Sequence, residues 1–376
     1  MNKKKQIVFV NQSSGYLMID IVNEFRDVYE ERILMAGFLN PRNNPIDDNV
    51  KIEKITTFNR SSFMKRIGTW ALGFLKVLWL IKTKYRNADL FLVSNPPFTT
   101  FIPLLCSNPY KILIYDIYPD ALVEFKYLKD DSTFVKLWKK ANKKVFSKAQ
   151  KVYTLTDGMK NRILAYTNEE NIQIVPIWTD NEFLKPIEKS QNKFLLSHNI
   201  ADKFVIMYSG NMGKAHPVEI LIELAVKFRN DNDIFFLLIG GGEKYQKMES
   251  LIQKNNLHNI IILPWQDTSV LPFTLSGADL ALVTVGNEAS DLSIPSKTYN
   301  LMSVGTPIIC VAPPNAALAR LVESDKIGVV FQNTELDKIA DFINSSVNET
   351  CFLLNYKNNG LRASINYTPK NAKQFI

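Results

Sequence analysis

Residues 204–216 read FVIMYSGNMGKAH, and this stretch decides the fold. Its apolar start predicts a buried strand, which a loop containing Gly210 and Gly213 follows, and a helix is predicted at 217–229. Glycines let backbone N–H groups approach a phosphate closely, and a helix N-terminus adds partial positive charge. The stretch therefore predicts a strand–loop–helix unit with an anion site, although a plain turn would need the same glycines.

The alternation of strand and helix continues on both sides of this stretch. Later strands are predicted at 234–239, 260–263, 280–285, 307–311 and 328–331, with helices between them, one of them at 243–255. Earlier strands are predicted at 6–11, 33–39, 51–58, 89–94, 111–116, 151–155 and 172–176, with helices at 16–32 and 132–148 and a helix N-cap at Thr156. Apolar strands that alternate with helices imply parallel sheets covered on both faces.

A polar stretch without periodicity, roughly 180–202, separates the two runs. The chain has 376 residues, which is too long for one ordinary core. The sequence therefore predicts an α/β protein of two Rossmann-like, doubly wound domains, with a ligand in a cleft at the carboxyl ends of the strands. The expected boundaries are 1–180 for the first domain, 181–203 for a linker, 204–360 for the second domain and 361–376 for a C-terminal segment.

Two more segments of the second run are candidate anion contacts. Gly240-Gly241-Gly242 ends the strand after the first, where a phosphate turn and a plain turn are equally compatible with the pattern. Pro295 suits the start of a helix whose first turn holds Ser296 and Lys297 and which Gly305 ends. A first-turn lysine opposes the helix dipole, so a bound anion would explain it, while a solvated surface lysine is the alternative.

In their order, these segments resemble the donor-binding domain of the GT-B glycosyltransferases of family 4. The similarity is to the branch that builds bacterial capsule, O-antigen and exopolysaccharide units. It rests on YSGNMGKAH at 208–216, on Asp279 in an ALV run, on the PSK-x-Y start at 295–299 and on 311–331. In the first half it rests on shorter segments, namely NPP at 95–97, YDIYPD at 115–120 and VPIWTD at 175–180.

The resemblance implies a retaining, metal-independent transfer between two facing domains, without a cofactor. The substrate implied is a nucleotide sugar, with a UDP-sugar favoured, although the base stays open. A C-terminal segment at 361–376 that returns to the first domain is also implied. The residues implied to bind the donor are Gly210, Asn211, Gly213, His216, Gly241, Glu288, Pro295, Ser296, Tyr299 and Asn300.

Three residues are implied to act in catalysis. Lys214 and Lys297 would stabilise the leaving diphosphate where other transferases use a metal. Asp116 would face the reacting sugar, although an aspartate that caps the next turn fits the position nearly as well. Gly15 and Asn95 are the candidates on the acceptor side.

The sequence departs from the family pattern at two positions. Asn300 stands where many members have a glutamate that holds the ribose, so the nucleoside contact is open. Tyr115 precedes Asp116 where a His-Asp pair is common. No metal site is predicted, since the three histidines are scattered and the Asp231-Asn232-Asp233 motif suits a helix–strand turn.

The net charge of +8 suggests a polyanionic partner. Lysines crowd the helix at 132–148 without an acidic residue, and the helical segment at 63–81 has one apolar face formed by Phe63, Ile67, Trp70, Phe74, Leu78 and Ile81. That face suits either the protein core or a membrane interface. A lipid-diphosphate-linked saccharide acceptor and an anionic inner-membrane surface are the expected partners, rather than nucleic acid, because the basic residues lack interleaved exposed aromatics.

The expected location is the cytoplasm, peripherally on the inner face of the cell membrane. The apolar piece at 7–10 is too short for a signal peptide, and three scattered cysteines fit a reducing compartment. Two other functions stay open. One is a non-hydrolysing nucleotide-sugar 2-epimerase, for which few cleft carboxylates and histidines are present. The other is a catalytically silent nucleotide-binding or scaffolding protein, which Asn300 would suit.

Overall fold

The computed structural model describes residues 5–59, 61–124, 126–213, 216–287, 290–349 and 351–376. These residues form two compact units. The first contains the described chain up to Ile177 together with Pro369–Ile376, and the second contains Trp178–Thr368. Each unit is a parallel sheet with helices, which confirms the predicted α/β fold class.

The described part of the first unit has one long parallel sheet and one short pair of strands. Its strands are β1 (Gln6–Val10), β2 (Ser13–Gly15), β3 (Glu31–Ala36), β4 (Phe38–Asn40), β5 (Val50–Lys54), β6 (Asp89–Val93), β7 (Tyr110–Leu113), β8 (Lys151–Thr154) and β9 (Ile172–Ile174). The long sheet has the order β5-β3-β1-β6-β7-β8-β9, and β2 pairs with β4. The strand order reverses between β1 and β6, so the carboxyl ends of these strands are the expected ligand edge.

The helices of the first unit start largely where the sequence predicts. They are α1 (Tyr16–Glu24), α2 (Phe63–Thr83), α3 (Asp120–Glu124), α4 (Thr133–Phe146) and α5 (Asp157–Ile163), with 3-10 segments at Phe25–Asp27, Pro97–Leu104, Glu169–Asn171 and Pro369–Phe375. The side chains of Ser132 and Thr156 cap α4 and α5, as expected. The predicted continuation of α1 to residue 32 is wrong, because Glu31 already pairs with Gln6 in the sheet.

The second unit has the strand order of a dinucleotide-binding fold. Its strands are β10 (Phe204–Asn211), β11 (Ile234–Gly241), β12 (Ile260–Leu263), β13 (Leu280–Thr284), β14 (Ile308–Val311) and β15 (Gly328–Phe331). They form a parallel sheet in the order β12-β11-β10-β13-β14-β15, the 3-2-1-4-5-6 arrangement. The order reverses between β10 and β13, which places the FVIMYSGNMGKAH stretch at the switch point of the sheet.

Eight α-helices accompany this sheet among the described residues. They are α6 (Lys193–Ser197), α7 (Glu219–Lys227), α8 (Tyr245–Lys254), α9 (Leu271–Ser276), α10 (Ser296–Val304), α11 (Ala317–Ser324), α12 (Leu336–Asn348) and α13 (Cys351–Ser364). Helix α10 begins after Pro295 and ends at Gly305, whose φ is +74°, as the sequence predicts.

Most of the stretch interpreted as a linker is folded into the second unit. The side chain of Asn192 caps α6 and donates a hydrogen bond to the carbonyl of Phe273, with 2.7 Å between the heavy atoms. Lys189 contacts Asp279 at 2.5 Å, and the same carboxylate accepts a bond from the backbone N–H of Val205. Asp279 of the family-like motif therefore has a structural role at the amino end of β13.

The C-terminal residues pack into the first unit. The side chain of Phe375 is 1% exposed and lies against the rings of Tyr153 and Phe91, at 4.7 and 5.8 Å between centroids. The carbonyl of Phe375 accepts hydrogen bonds from the Tyr153 hydroxyl and the Lys111 ammonium at 2.9 and 2.8 Å. Phe375 thus packs this segment onto the core of the first sheet, and Ala372 of the same segment is also buried.

Candidate functional site

The side chain of Lys297 reaches from the first turn of α10 to the carboxyl end of β10. Its Nζ lies 3.5 Å from the centroid of the Tyr208 ring and directly over Gly210, where a Cβ atom would stand 2.6 Å from that nitrogen. The Nζ atom is buried and has no hydrogen-bond partner among the described residues. Desolvation lowers the pKa of Lys297 to about 7.

An unpaired buried ammonium is costly, and its place in the first turn of a helix adds an unfavourable dipole. Two further side-chain oxygens near this edge, those of Thr284 at the end of β13 and Thr298 in α10, are also buried without a partner within the described part of the chain. Native proteins rarely leave such groups unpaired unless a ligand or water satisfies them. A bound anion at the switch point would give the Nζ of Lys297 the partner that the described residues do not supply.

Glycine backbone forms the floor of the site. Gly210 pairs with Gly240 in the parallel ladder, and a Cβ atom on Gly240 would stand only 2.0 Å from the carbonyl oxygen of Gly210. The φ angles of Gly210, Gly240 and Gly242 are +143°, +138° and +132°, which side chains other than glycine rarely adopt. Neighbouring backbone requires glycine at 240, and the side chains of Lys297 and Asn211 fill the space that a Cβ atom would need at 210 and 242.

Asn211 connects the two glycine loops. A Cβ atom on Gly242 would stand 2.6 Å from the side-chain oxygen of Asn211, and one on Gly213 would stand 2.9 Å from its side-chain nitrogen. The backbone N–H of Met212 donates to the carbonyl of Gly241 at 2.8 Å. The loop after β10 is thus held against the loop after β11 as far as Gly213. Lys214, which comes next in this loop, and Glu288 lie outside the described residues.

His216 bridges the switch point. Its Nδ1 is 2.8 Å from the carbonyl oxygen of Thr284, which can only accept, so Nδ1 carries the proton. Burial lowers the pKa of His216, which leaves Nε2 as the available lone pair at neutral pH. The carbonyl of His216 accepts a bond from Lys244, whose ammonium also contacts Glu219 at 2.9 Å. This network fixes the start of α7 beside the glycine floor.

The other predicted residues of α10 differ in their surroundings. Ser296 is exposed, and Pro295 caps the helix. The ring of Tyr299 is 2% exposed and lies 4.7 Å from that of Tyr367. The side-chain oxygen of Asn300 accepts a hydrogen bond from the Thr179 hydroxyl at 2.7 Å. Tyr299 and Asn300 therefore contribute packing and hydrogen bonding inside the second unit.

Two of the predicted residues of the first unit follow neighbouring strands of the long sheet, and the third lies in the short pair of strands. Asn95 follows β6, Asp116 follows β7, and Gly15 ends β2 and caps α1. The hydroxyl of Ser94 accepts bonds from the backbone N–H groups of Tyr115 and Asp116 at 2.9 and 3.1 Å. Asp116 is exposed to solvent, and desolvation by nearby protein atoms nevertheless raises the pKa of its carboxyl group.

Sequence reasoning missed three residues at the edge of the second sheet, namely Thr284, Thr298 and Trp265. Trp265 follows β12, and its indole lies against Gly241. The first two are ordinary threonines in buried elements, so no sequence signal distinguishes them. The third could have been noticed, because a tryptophan two residues after the short IIIL strand is an unusual residue for a turn.

The unpaired state of Lys297 predicts how stability varies with pH. Its ordinary pKa is 10.5 and its folded pKa is about 7, so between these values the unfolded chain holds one more proton. The free energy of unfolding should therefore rise with pH in this window, by at most about 1.4 kcal/mol per pH unit. Urea unfolding of the wild type and of Lys297→Met from pH 7 to 9.5 checks this, because the variant lacks the contribution. If the free energy of unfolding varied with pH in the same way in both proteins, the prediction would be contradicted.

Part of the chain, mostly in the second unit, is similar to a known protein family. Residues 190–362 match the family described as Glycosyl transferases group 1. WcaI of Escherichia coli K12, named as a colanic acid biosynthesis glycosyl transferase, is 28% identical over 179 residues, which are 46% of this chain and 43% of that protein. The chain thus matches less than half the length of WcaI. WbjE of Pseudomonas aeruginosa, named as a glycosyltransferase, is 23% identical over 86% of this chain and 83% of its own.

The fold of the whole chain is found in a solved structure. HepE of Anabaena superposes with a TM-score of 0.72 at 16% identity, and the match covers 98% of this chain and 97% of HepE. At this identity the likeness concerns the fold, which is the GT-B pair of Rossmann-like domains. Residues 190–362 are therefore similar to the group 1 glycosyl transferases, and the whole chain has the GT-B fold.

Proposed function

We propose that the protein transfers a sugar from a nucleoside diphosphate donor, preferably a UDP-sugar, to a saccharide acceptor. The observation that carries this proposal is the buried, unpartnered Nζ of Lys297 over the glycine floor of the switch point. A diphosphate would supply the counter-charge that this nitrogen lacks. Uridine as the base is supported by HepE, whose crystal structure holds UDP-glucose.

The chemistry proposed is a retaining transfer without a metal ion. When the bond between the sugar and the phosphate breaks, negative charge grows on the leaving diphosphate. The ammonium of Lys297 would stabilise that charge, together with backbone N–H groups near Gly213 and the neighbouring Lys214. An approaching diphosphate favours the protonated form of Lys297, so binding would restore the charge that burial weakens. Asp116 stays the proposed residue for the reacting sugar.

Hydrolysis of the donor tests stereochemistry and metal dependence together. The protein is incubated with UDP-α-glucose and other UDP-sugars, with and without EDTA, and early NMR spectra identify the anomer released. We expect the α-anomer of glucose first and equal rates with EDTA. A β-anomer formed first would contradict retention, and loss of all turnover in EDTA would contradict the metal-free proposal. Absence of binding or turnover with every nucleoside diphosphate sugar would contradict the function itself.

The first unit supports a lipid-linked acceptor at an anionic membrane surface. Within the described chain, no helix is both long and apolar enough to span a bilayer. Helix α2 nevertheless carries a stripe of exposed apolar side chains at helical spacing. They are Met64, Leu72, Leu75 and Trp79, with exposed fractions of 75, 58, 58 and 61%. This stripe differs from the predicted apolar face.

The face that the sequence analysis identified packs onto the protein instead. Ile81 is buried, and Ile67, Trp70, Phe74 and Leu78 are half-buried, while the side chain of Phe63 is outside the described set. The Trp70 ring stacks on Phe58 and touches Phe98, which in turn lies 6.5 Å from Trp138 of α4. Since α2 is apolar nearly all round, it can pack inward and still leave an apolar stripe outside.

Basic residues flank that exposed stripe. Lys65, Lys76 and Lys82 are exposed on α2. Helix α4, joined to α2 through the aromatic contacts of Phe98, exposes Phe134 and Leu137 beside the lysines at 136, 140, 143 and 144. Apolar side chains between lysines match an interface of anionic headgroups and acyl chains. A role in surface polysaccharide synthesis on lipid carriers fits this surface and the name of WcaI.

Binding to vesicles checks the membrane surface. The double variant Leu75→Asn with Trp79→Ser should lower the fraction that floats with phosphatidylglycerol vesicles at least several-fold, because about 25 cal/mol is lost per Å² of apolar area no longer buried. Phosphatidylcholine vesicles should bind little even of the wild type. Leu354→Asn, which removes a side chain 57% exposed in the second unit, is the matched control. Equal flotation of the double variant and the wild type would contradict the proposal.

A further inference from the structure

Trp265 lies at the same sheet edge as Lys297, although it was not among the predicted site residues. It follows β12, and its side chain is 61% exposed. Single exposed apolar residues are common on protein surfaces, so exposure alone indicates nothing. The second observation is its contact with the glycine turn. A Cβ atom on Gly241 would stand 2.7 Å from the indole Nε1 and 3.0 Å from Cδ1.

The pyrrole edge of the indole therefore rests on bare backbone, which only a glycine at 241 permits. Within the described part of the chain, no aromatic ring within stacking distance covers the indole. The loop after β12 thus presents a large flat π-surface that is held by backbone on one edge and open on a face. Tryptophan has two rotatable side-chain bonds, so such a contact holds it at a small cost in conformational entropy.

The indole and the ammonium of Lys297 border the same floor from two sides. Lys297 lies over Gly210, which pairs with Gly240, and Trp265 lies against Gly241, the next residue of β11. Neighbouring strands are about 4.8 Å apart, so the two groups flank a stretch of backbone only a few residues wide. A ligand can bind Lys297 with its anionic end and extend along the carboxyl edge of the sheet towards β12. Its other end then contacts the indole of Trp265.

We propose that Trp265 is the stacking platform for the aromatic base of the donor nucleotide. This inference rests on the proposed function and adds the residue that holds the base. A π-face is common to all bases, and stacking reads no hydrogen-bond pattern. Trp265 should therefore strengthen the binding of uridine and guanosine diphosphates by a similar factor, and base selection should come from other groups. Since stacking is equal in the ground and transition states, its loss should raise KM more than it lowers kcat.

Titration calorimetry with UDP, GDP and inorganic pyrophosphate tests the platform. Trp265→Ala should weaken both nucleotides about 5- to 150-fold, the factor expected for one stacked base. Pyrophosphate, which has no base, should bind wild type and variant alike. Trp265→Phe keeps an aromatic face and should recover most of the nucleotide affinity. Equal UDP affinity of wild type and Trp265→Ala would overturn the inference, as would an equal loss of pyrophosphate affinity.

Tryptophan fluorescence gives an independent readout of contact. UDP should quench the emission of the wild type, and Trp265→Phe should abolish most of this quenching while UDP still binds by calorimetry. Trp79→Phe removes a tryptophan with the same exposed fraction, 61%, from the first unit, and it should leave the quenching unchanged. If the wild type bound none of the three probes, the proposed function would fail. If UDP and GDP bound the wild type and the Trp265 variants equally well, only the proposed stacking role of Trp265 would be refuted.

Discussion

Replacing Lys297 with methionine is expected to lower kcat about 10²- to 10³-fold, the effect of removing one group that stabilises an oxyanion. The structural reason is that the Nζ atom is buried without a partner at the point where the diphosphate is proposed to bind. Its interaction strengthens as charge develops on the leaving group, so the effect should fall mainly on kcat and less on KM. Steady-state donor hydrolysis, measured by UDP release, checks this.

Methionine has nearly the length of lysine and no charge, which separates a catalytic effect from misfolding. The variant should unfold at the same or a higher urea concentration than the wild type at pH 7, since an unpaired buried ammonium is removed. Lys338→Met is the matched control, because Lys338 is an exposed lysine of the same unit that pairs with Glu335 at 2.6 Å. Full activity in Lys297→Met would show that this lysine does not serve the leaving group.

Replacing Phe375 with alanine is expected to destabilise the first unit by about 3–5 kcal/mol, the range for deleting a buried phenylalanine side chain. The ring fills the space beside Tyr153 and Phe91, and its position also brings the Phe375 carbonyl to the Tyr153 hydroxyl. If the segment at 369–376 moves after the ring is removed, it loses both this packing and the hydrogen bonds from Lys111 and Tyr153 to the Phe375 carbonyl.

Hydrogen exchange measured by mass spectrometry separates the two units in this test. Amides of β6 and β8 should exchange about two to four orders of magnitude faster in Phe375→Ala, since exchange follows the free energy of opening. Amides of β10 and β13 should keep their wild-type rates. Ile376→Ala, at a side chain 47% exposed, is the neighbouring control and should change little. Unchanged exchange in β6 and β8 would mean that Phe375 contributes little to the first unit.

Much of the fold could be predicted because its signals are local. The strands at 260–263 and 328–331 have the predicted bounds, and α10 begins after Pro295 and ends at Gly305 as expected. Short apolar runs, a proline at a helix start and a glycine at a helix end act through neighbouring residues. The stretch at 180–202 was harder to predict, since Asn192 at the start of α6 contacts Phe273 and Lys189 contacts Asp279, and both partners are distant in the sequence.

The membrane-like face of α2 shows the limit of periodicity. The helix is apolar nearly all round, so the pattern identified one face as apolar but could not say which face the protein would cover. Packing of Trp70 against Phe58 and Phe98 decides this, and it leaves Leu72, Leu75 and Trp79 exposed. The sequence therefore predicted an apolar helix, but it did not predict which face of that helix would be buried.

The sequence by itself determined two alternating runs of strands and helices, the glycine loops and the lysine at a helix start, because each depends on residues close together in the chain. Only the tertiary structure decided which of these groups lack partners. Asn300 meets Thr179, which is 121 residues away, and Trp265 meets Gly241 across a strand end, whereas the Nζ of Lys297 reaches Gly210 and finds no acceptor among the described residues. Partnering depends on distances between remote segments, and the packing of the sheet sets those distances.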